Sequence, residues 1–494
     1  MSRSSTLAAG CLALAFCAPA WPKTIEGLPD GVFDEWVGAK LVKKDPLGDG
    51  GAGGLDLGRL WMGDDGEALY FRLEVGRETI LQNPPSGDIG NDLRLYLDLD
   101  RKKSTGFPVE NLGVDLEIRF GLRSVRRYDA NGNEELILPG TGLVMGLPTH
   151  SSEEFEIRVE LPENLRTARL GALKAKRKRI KLVLRDVDGG DRLPNGGAAK
   201  YKLAKTAADK VDRITLDRVP GTDLRLLSIN SEASTIVARQ DVYRRILEAI
   251  RPNVIAFQEL TSWGPNQARD FVETVLSPNG DVAWEARQQF DCVTVSSFPI
   301  LDWAPVDDNL ATYIDLPGGG RNLVLFNMHP PCCDNEDGRD REFDNLAAAW
   351  RDLLEGDFSF AINDGDAAVF AGDYNLVGFR RQIEALRDGV FVDATNGPNF
   401  APGRDEGSLE DPPLRHTHRR FAYTWRRAES SFAPGRLDLV VFSGDALELT
   451  KGFVLDTSTM RSKDLRKAGL KRGDSGLASD HLGMVVDFFV RPVD

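Results

Sequence analysis

The pattern of apolar and polar positions divides the chain into two parts. Between residues 21 and 205, apolar residues occur in short alternating segments separated by clusters of Gly, Pro and Asn. These segments lie at 68–73, 93–97, 114–118 and 180–184. Alternation with a period of two is typical of half-buried β-strands, and many short strands with frequent turns favour two packed sheets. The pattern therefore predicts an all-β sandwich domain over residues 21–205.

From about residue 223 to residue 494, continuous apolar runs alternate with segments of helical periodicity. Buried strands are predicted at 224–229, 254–257, 323–328, 367–371, 437–442 and 484–489. Helices are predicted at 237–250 and 343–354, each with one apolar face. Strands that recur with helices form sheets covered by helices, so residues 223–494 are predicted to form an α/β (α+β) domain.

Residues 206–222 show neither pattern and are predicted to be a linker between the two domains. Domain boundaries usually fall in such stretches, where few contacts cross from one side to the other. A fragment that begins near Thr215 is therefore expected to fold without the sandwich.

The first twenty residues have the features of a secretory signal peptide. Arg3 supplies a positive charge, residues 7–16 form an apolar run, and Ala18-Pro19-Ala20 matches a small-residue cleavage signal. We therefore expect residues 1–20 to be removed and the protein to be secreted or periplasmic. The segment before Cys11 also resembles a lipoprotein cleavage site, but its apolar stretch is short for that purpose. No apolar run of about 18 residues follows, so no transmembrane segment is predicted.

Composition narrows the class of protein and of partner. Hydrophobic residues make up 41% of the 494 residues and charged residues 28%, which is typical of globular domains and excludes a disordered chain. The formal net charge of −14 repels nucleic acid and anionic lipid unless a local basic patch overcomes it. A strong non-specific DNA-binding protein is therefore disfavoured, whereas small substrates are compatible with this charge.

The cysteines give no framework for the fold. After removal of the signal peptide, Cys292, Cys332 and Cys333 would remain, which leaves room for one disulfide bond at most. A zinc site built on His329 and the adjacent pair Cys332-Cys333 is disfavoured, because adjacent cysteines lack the usual C-x₂-C spacing.

Two charged clusters in the first domain have alternative interpretations. Asp98, Asp100 and Asp115, with residues 104–106, offer oxygen ligands for a structural Ca²⁺ ion; the alternative is a solvated turn at a strand end. The basic run at 174–181 would either face phosphates or form a solvated strand edge rich in lysine. The alternating apolar positions that follow favour the strand edge.

Polar residues stand where the predicted strands of the second domain begin or end. They are Asn230, Gln258-Glu259, His329, Asp373-Tyr374-Asn375, Asp438 and Asp480-His481. Any one of them, taken alone, would more often be a turn cap or a structural histidine. Because sites in α/β proteins collect at strand ends, the ordered series as a whole indicates one active site. His416 and His418 are instead expected in a solvated loop.

This series resembles the endonuclease/exonuclease/phosphatase superfamily over residues 223–490. The superfamily includes deoxyribonuclease I, abasic-site endonucleases, neutral sphingomyelinases and inositol-phosphate phosphatases. The resemblance implies a four-layered α/β/β/α sandwich that hydrolyses phosphoesters with a divalent metal ion. The residue types agree with this chemistry, which requires hard oxygen ligands, a base for the attacking water and proton donors.

The resemblance also implies roles for the residues that would handle the metal ion and the water. Glu259 would be the main ligand of Mg²⁺ or Mn²⁺, and Asn230 and Asp480 would lie beside it. Asp373 would orient or deprotonate the attacking water, and Asn375 would donate a hydrogen bond to a phosphate oxygen.

Two imidazoles complete the implied site. His481 would pair with Asp438, whose carboxylate fixes the tautomer and supports the charged form of the ring. His329 would be the second imidazole, and the sequence leaves open which ring acts as acid and which as base. Residues 423–425 resemble the family's aromatic strand and would either flank the site or pack in the core.

Two hypotheses of function follow. The first is a secreted, divalent-metal-dependent phosphodiesterase that acts on nucleic acid or on a small or lipid-headgroup phosphoester. The alternative is a non-catalytic extracellular binding protein that keeps the fold. Arginines at 380–381, 415–420 and 426–427 would give nucleic acid a local basic rim.

The first domain has a separate resemblance. Residues 30–36, 69–71 and 97–100 resemble sandwich domains of the family-nine carbohydrate-binding type. This implies a glycan or surface contact through the first domain, while the oligomeric state stays open.

Overall fold

The structure is a computed structural model that describes residues 29–37, 39–51, 53–85, 89–163, 166, 179–204, 211–317, 320–403 and 407–493. The predicted signal peptide with Cys11, residues 206–210 of the predicted linker, and residues 174–178 of the basic run lie outside these ranges. Within them, an all-β domain precedes a domain of mixed α and β structure.

The first domain contains two antiparallel sheets packed face to face and a separate pair of short strands, the fifth and sixth of the chain. Its strands are β1 (Leu41–Lys44), β2 (Arg59–Asp64), β3 (Ala68–Thr79), β4 (Leu93–Asp98), β5 (Phe107–Val109), β6 (Leu112–Val114), β7 (Leu116–Arg119), β8 (Ser124–Tyr128), β9 (Glu134–Ile137), β10 (Val144–Leu147), β11 (Ser152–Glu160), β12 (Arg179–Asp186), β13 (Arg192–Leu193) and β14 (Ala199–Lys202). One sheet has the order β1-β2-β3-β11-β10, and the other has the order β13-β12-β4-β7-β8-β9 with β14 beside β12. Alternating apolar side chains such as Phe71, Leu95, Phe155 and Leu182 fill the space between them. The predicted β-sandwich is confirmed.

The sandwich brings together the carboxylates that the sequence offered to calcium. One oxygen each of Asp98, Asp100 and Asp115 lies within 4.8 Å of the others. The ammonium group of Lys181, however, lies 3.3 Å from Asp98 Oδ2, and Asp115 Oδ2 accepts the backbone N–H groups of Leu99 and Asp100. These partners offset part of the negative charge, so a calcium ion at this place stays a prediction.

The second domain contains two sheets with helices on their outer faces. Its elements are β15 (Leu224–Asn230), α1 (Gln240–Ile250), β16 (Val254–Gln258), α2 (Pro265–Leu276), β17 (Glu285–Gln289), β18 (Cys292–Ser296), β19 (Ile300–Val306), β20 (Asn309–Ile314), β21 (Leu323–Met328), α3 (Glu336–Glu355), β22 (Ala367–Asp373), α4 (Arg380–Asp388), β23 (Asp438–Phe442), β24 (Leu447–Val454), α5 (Ser462–Ala468), α6 (Asp474–Ala478) and β25 (Met484–Val490). One sheet has the order β17-β18-β16-β15-β25-β24, and the other has the order β19-β20-β21-β22-β23.

The layers of this domain follow from apolar residues on both faces of each sheet. Leu226 of one sheet and Val369 of the other belong to the core between the two sheets. On the outer face of the six-stranded sheet, α1 packs through residues such as Ile246. On the outer face of the five-stranded sheet, α3 and α4 pack through Trp350 and Leu386. The predicted four-layered α/β/β/α sandwich is confirmed.

The sequence located the interiors of these elements better than their ends. Strand β21 has the predicted bounds, but β22 continues to Asp373. Helix α3 begins at Glu336 and not at residue 343. Asn335 caps this start, because its side chain accepts the N–H of Gly338. Polar residues in a first helical turn carry no apolar periodicity, so the pattern missed them. Among the described residues, no helix combines the length and apolarity needed to cross a bilayer.

The sandwich contacts the second domain through residues 139–151, which we call the bracing segment. Ser151 is fully buried, with an exposed fraction of 0%. Its N–H donates to Gly378 O at 2.8 Å, and its Oγ accepts the N–H of Arg380 at 2.8 Å. One buried serine therefore fixes the loop between β22 and α4 from two sides.

A second loop, which precedes β23, is held in the same way. Thr149 Oγ1 donates to Arg436 O at 3.2 Å, and Gly140 N donates to Ser430 O at 3.1 Å. Met145 of the bracing segment, 5% exposed, belongs to the core between the two sheets of the second domain. The sandwich thus supplies polar and apolar contacts that the linker pattern did not predict.

The described part of the linker is also fixed to the second domain. Ile214 N donates to Thr417 O at 2.9 Å, and Leu216 O accepts a hydrogen bond from Arg225 at 2.8 Å. A fragment that begins near Thr215 would lose the Ile214 contact and those of the bracing segment; that it folds without the sandwich stays a prediction.

We expect this fragment to unfold at a lower temperature than the full-length protein, because truncation leaves the partners of the bracing segment unpaired and exposes the surface that Met145 covers. In the full-length protein, Ser151→Ala should lower the free energy of unfolding by about 1 to 3 kcal/mol, the cost of a buried group without its partner. Differential scanning calorimetry measures both changes. Ser104→Ala, at an exposed serine, is the matched control and should be neutral. A fragment with the unfolding temperature of the full chain would contradict a bracing role.

Candidate active site

The six-stranded sheet delivers Asn230 and Glu259 to one edge of the domain. Strands β15 and β16 are parallel, and Asn230 pairs with Gln258 at their ends. Glu259 therefore follows directly beside Asn230. Below this edge, Gln258 Nε2 donates to Asn327 Oδ1 at 2.7 Å, and both side chains are fully buried. This polar contact links the two sheets under the site.

The five-stranded sheet delivers His329, Asp373 and Asp438 to the same site. Parallel strands β21 and β22 pair Met328 with Gly372, so His329 and Asp373 follow side by side. A Cβ atom on Gly372 would lie 2.0 Å from Met328 O, which explains the glycine before Asp373. Antiparallel β22 and β23 place Asp438 directly opposite Asp373.

Asp373 is the centre of the site. Its carboxylate is buried, and its Oδ2 atom accepts a hydrogen bond from Asn230 Nδ2 at 3.0 Å. The same atom lies 3.5 Å from His481 Nε2 and 3.8 Å from His329 Nε2. Burial raises the pKa of the Asp373 carboxyl, while the His481 imidazole lowers it, Asp438 raises it and His329 lowers it. Residues from three other strand ends thus converge on one oxygen atom of Asp373.

Both histidines are oriented by a carboxylate on the opposite ring nitrogen. His481 Nδ1 lies 2.9 Å from Asp438 Oδ2, and His329 Nδ1 lies 2.9 Å from Asp291 Oδ2. Burial disfavours the charged form of each ring, but the neighbouring carboxylates outweigh it. The result is a pKa raised to about 10 for His481 and to about 9 for His329. Each ring is therefore held protonated, with Nε2 as a donor directed at the centre of the site.

Asp291 is a site residue that the sequence analysis missed. It is buried at the start of β18, and its backbone carbonyl accepts the N–H of Leu260. A signal was present, because Asp291 precedes an apolar strand just as Asp438 begins one. It was not recognised because only spatial proximity joins Asp291 to His329.

Glu259 offers its carboxylate at the open side of the site. Oε1 accepts a hydrogen bond from Asn230 Nδ2 at 3.0 Å, and Oε2 accepts the N–H of Ala233 at 2.7 Å. The side chain is 31% exposed, in contrast to the buried Asp373. Glu259 and Asn375 also adopt left-handed backbone conformations, with φ of 55° and 46°. Such conformations are costly for residues other than glycine and concentrate at functional sites.

Asn375 is fixed directly above Asp373. Its N–H donates to Asp373 Oδ1 at 2.9 Å, and its side-chain Nδ2 donates to Pro330 O at 2.9 Å. The loop after β22 and the loop after β21 are thereby joined next to His329.

Asp480 occupies a separate flank of the site. Its Oδ2 accepts the indole N–H of Trp425 at 3.0 Å and lies 3.9 Å from Arg427. Its backbone N–H donates to Glu232 Oε2 at 3.1 Å. Burial raises the pKa of Glu232. Repulsion from Asp480 and, more weakly, from Glu259 raises it further. Glu232 therefore contacts Asp480 and lies near enough to Glu259 to be repelled by it, and it is a second residue that the sequence analysis missed.

The donor set fits a hard divalent cation. Oxygens of Glu259 and Asp373 and a ring nitrogen of His329 lie within 4.8 Å of one another. Two carboxylates in this group suit Mg²⁺, which prefers one or two carboxylates together with water and substrate phosphate. The described cysteines belong to no such group of candidate ligands, and Cys332 and Cys333 are exposed.

The expectation of a solvated loop is wrong for His416. This side chain is fully buried, and its Nε2 lies 2.8 Å from Tyr423 O. His418 Nε2 lies 3.0 Å from Asp464 Oδ2. Both histidines hold the loop before Trp425 in place. The many arginines around them in the sequence had suggested a solvated loop instead.

The arginines considered for a basic rim are largely used in internal contacts. Arg426 donates to Thr141 O, Arg381 pairs with Asp340, and Arg419 pairs with Glu67. Arg427, whose side chain is 60% exposed, lies 3.9 Å from the predicted site residue Asp480, to whose backbone carbonyl the N–H of Arg426 also donates.

Comparison with known proteins assigns the class. The chain matches the model of the Endonuclease/Exonuclease/phosphatase family over residues 226–481, a range that contains all of the predicted site residues. The protein belongs to this family of phosphoester hydrolases, whose enzymes depend on divalent metal ions. A search of curated proteins found no match.

Solved structures with a similar fold cover little more than half of this chain. A humanised D. rerio TDP2 has 14% sequence identity and a TM-score of 0.33, and the alignment covers 54% of this chain and 98% of that chain. The human Nocturnin catalytic domain with a bound sulfate has 14% identity and a TM-score of 0.34, over 57% and 97% of the two chains. ANGEL2, described as a 2′,3′-cyclic phosphatase in complex with adenosine-2′,3′-vanadate, has 14% identity and a TM-score of 0.36, over 55% and 97%.

The two carboxylate–imidazole pairs generate a test that needs no substrate. We expect Asp438→Asn to lower the pKa of His481 by about one unit or more, because the partner charge is lost, and to leave His329 nearly unchanged. Asp291→Asn is the matched control and should do the reverse. Imidazole ¹⁵N and ¹³C chemical shifts, recorded against pH in EDTA, report both rings. Equal effects of both variants on both rings would contradict the pairing.

Proposed function

We propose that the protein is a secreted or periplasmic, divalent-metal-dependent phosphodiesterase. One observation carries the proposal: the Nε2 atoms of two charged imidazoles lie 3.5 Å and 3.8 Å from Asp373 Oδ2, beside the accessible carboxylate of Glu259. Such a site combines anionic oxygens for a cation with positive donors for a phosphoryl group. Membership of the family makes phosphoester hydrolysis its expected use.

Glu259 is the proposed principal ligand of Mg²⁺ or Mn²⁺. Asn230 contacts Glu259 and would contribute through its amide group, whereas Asp480 lies on the flank that Glu232 joins to Glu259. When bound, the cation would neutralise phosphate charge and favour deprotonation of water.

The protein's own groups would perform the remaining tasks. Asp373, fixed by Asn230 and Asn375, would orient a water molecule and take its proton. His481 and His329 would donate Nε2–H bonds to phosphate oxygens or to the leaving oxygen, and Asp438 and Asp291 would keep each ring charged. Pre-oriented donors of this kind stabilise the transition state because they need little reorganisation.

The charge around the site favours small phosphodiesters over long nucleic acids. The net charge is −14, and most of the arginines near the site are engaged in internal contacts. Arg427 is the candidate for an additional substrate contact, since its side chain is largely exposed beside Asp480. Secretion and a glycan contact through the sandwich are parts of the proposal that depend on the sequence alone.

A substrate panel tests the activity. The mature protein should hydrolyse bis-p-nitrophenyl phosphate faster than p-nitrophenyl phosphate, and plasmid DNA, RNA and sphingomyelin should be assayed beside them. EDTA should abolish hydrolysis, and Mg²⁺ or Mn²⁺ should restore it. Glu259→Gln should also abolish it, whereas Glu248→Gln, at an exposed position on α1, is the matched control and should be fully active. Full activity after exhaustive chelation would overturn metal dependence, and binding of a phosphodiester without turnover would favour the binding-protein alternative.

His481 provides the sharpest catalytic test. His481→Ala should lower kcat by about 10² to 10⁴-fold with folding retained, the size expected for a positioned proton donor. Asp438→Asn should have a smaller effect in the same direction. The double variant should be little worse than His481→Ala, because the carboxylate acts through the ring. Steady-state kinetics on the chromogenic diester measure all three variants, and additive losses would refute the pair as one unit.

A further inference from the structure

A second group of carboxylates lies in the sandwich domain, where the edges of its two sheets meet. Asp45 directly follows β1, an edge strand of one sheet, and Asp191 directly precedes β13, an edge strand of the other. One oxygen each of Asp45, Asp49 and Asp191 lies within 4.8 Å of the others. This group shares no residue with the active site or with the three carboxylates near Lys181.

The charged groups that shift the pKa of Asp45 are all acidic. Burial raises the pKa of Asp45, and Asp49, Asp191 and Asp56 raise it further by repulsion. Burial also raises the pKa of Asp191; the backbone N–H groups of Leu57 and Arg192, which donate to its carboxylate, lower it, and repulsion from Asp49 and Asp56 raises it. Asp98, by contrast, has a cationic neighbour, the ammonium group of Lys181. Carboxylates gathered in this way repel one another unless a cation lies between them.

Asp45 also carries an oxygen atom without a partner. The residue is 5% exposed, and its Oδ1 accepts a hydrogen bond from Asn195 Nδ2 at 2.8 Å. Its Oδ2 is enclosed and accepts no hydrogen bond from any residue that the structure describes. A buried carboxylate oxygen that is neither hydrogen-bonded nor solvated is costly, which indicates that this atom has a ligand.

We propose that Asp45, Asp49 and Asp191 bind a Ca²⁺ ion that ties the two sheets of the sandwich together. The donors are all oxygen atoms, with no imidazole or thiolate, which excludes a zinc-type site. Three carboxylates on irregular loops suit Ca²⁺, which takes six to eight oxygens in flexible geometry, better than Mg²⁺, which demands a near-ideal octahedron and keeps several waters. Asn195, which contacts both Asp45 and Asp49, would add an amide oxygen after rotation of its side chain.

Thermal unfolding and calorimetric titration of the full-length protein test the proposal. The protein is stripped with EDTA and returned to buffer with Ca²⁺ or with Mg²⁺. Ca²⁺ at about 100 times its dissociation constant should raise the unfolding temperature of the sandwich by roughly 5 to 10 °C, and Mg²⁺ should raise it much less. Asp45→Asn should remove the Ca²⁺ effect, and in EDTA this variant should be at least as stable as the parent protein, because it lacks the repelling charge.

Three further variants keep the result decisive. Asp49→Asn, at an exposed position with little risk to folding, should also lose calorimetric Ca²⁺ binding. Asp100→Asn tests the separate carboxylate group near Lys181 and should leave the Ca²⁺ effect on unfolding in place; Glu153→Gln, at an exposed position on β11, is the matched control and should keep Ca²⁺ binding. The proposal is overturned if Ca²⁺ binding survives in Asp45→Asn and Asp49→Asn, if it is lost in Asp100→Asn alone, or if Ca²⁺ and Mg²⁺ stabilise the protein equally.

Discussion

The buried carboxylate of Asp373 is the constraint on which the second domain's site depends. Its Oδ2 atom accepts a hydrogen bond from the Asn230 side chain and faces both imidazoles, and its Oδ1 atom accepts the N–H of Asn375. A carboxylate this deeply buried is tolerated only with partners of opposite charge and with hydrogen bonds. The two rings supply that charge. They remain protonated because the carboxylates of Asp438 and Asp291 contact their Nδ1 atoms. Loss of one member therefore alters the protonation of several others.

The sandwich domain is part of this arrangement. The bracing segment holds the loop that follows Asn375 through Ser151 and the loop that precedes Asp438 through Thr149. Without the sandwich, the second domain alone would have to hold both loops in place. The first domain thus has two structural tasks of different kinds: it braces the active site at one place, and in our proposal it binds a calcium ion at another.

Much of the fold was accessible from hydrophobic periodicity. Strands such as β21 are buried on both faces and are therefore continuous in apolar residues, and the alternation in the first domain identified a sandwich. The site residues Asn230, Glu259, His329, Asp373 and His481 were accessible because each stands beside a recognisable strand. Asp291 and Glu232 were not, because each acts through a partner that is distant in sequence. The burial of His416 was missed for a similar reason, since Asp456, whose Oδ2 atom lies 3.3 Å from His416 Nδ1, is distant in sequence.

The sequence by itself determined the two-domain order, the α/β character of the second domain and the chemical types in the site, because periodicity and strand-end residues are local properties; the four-layered α/β/β/α arrangement was implied by the family resemblance. Only the tertiary structure decided that Asp291 is the carboxylate behind His329, that Asp480 contacts Trp425 and Glu232, and that the sandwich braces the catalytic loops. It also decided that Asp45 and Asp191, distant along the chain, share one corner of the sandwich. These relations depend on how the sheets pack, and packing of distant segments leaves no periodic signal in a single sequence.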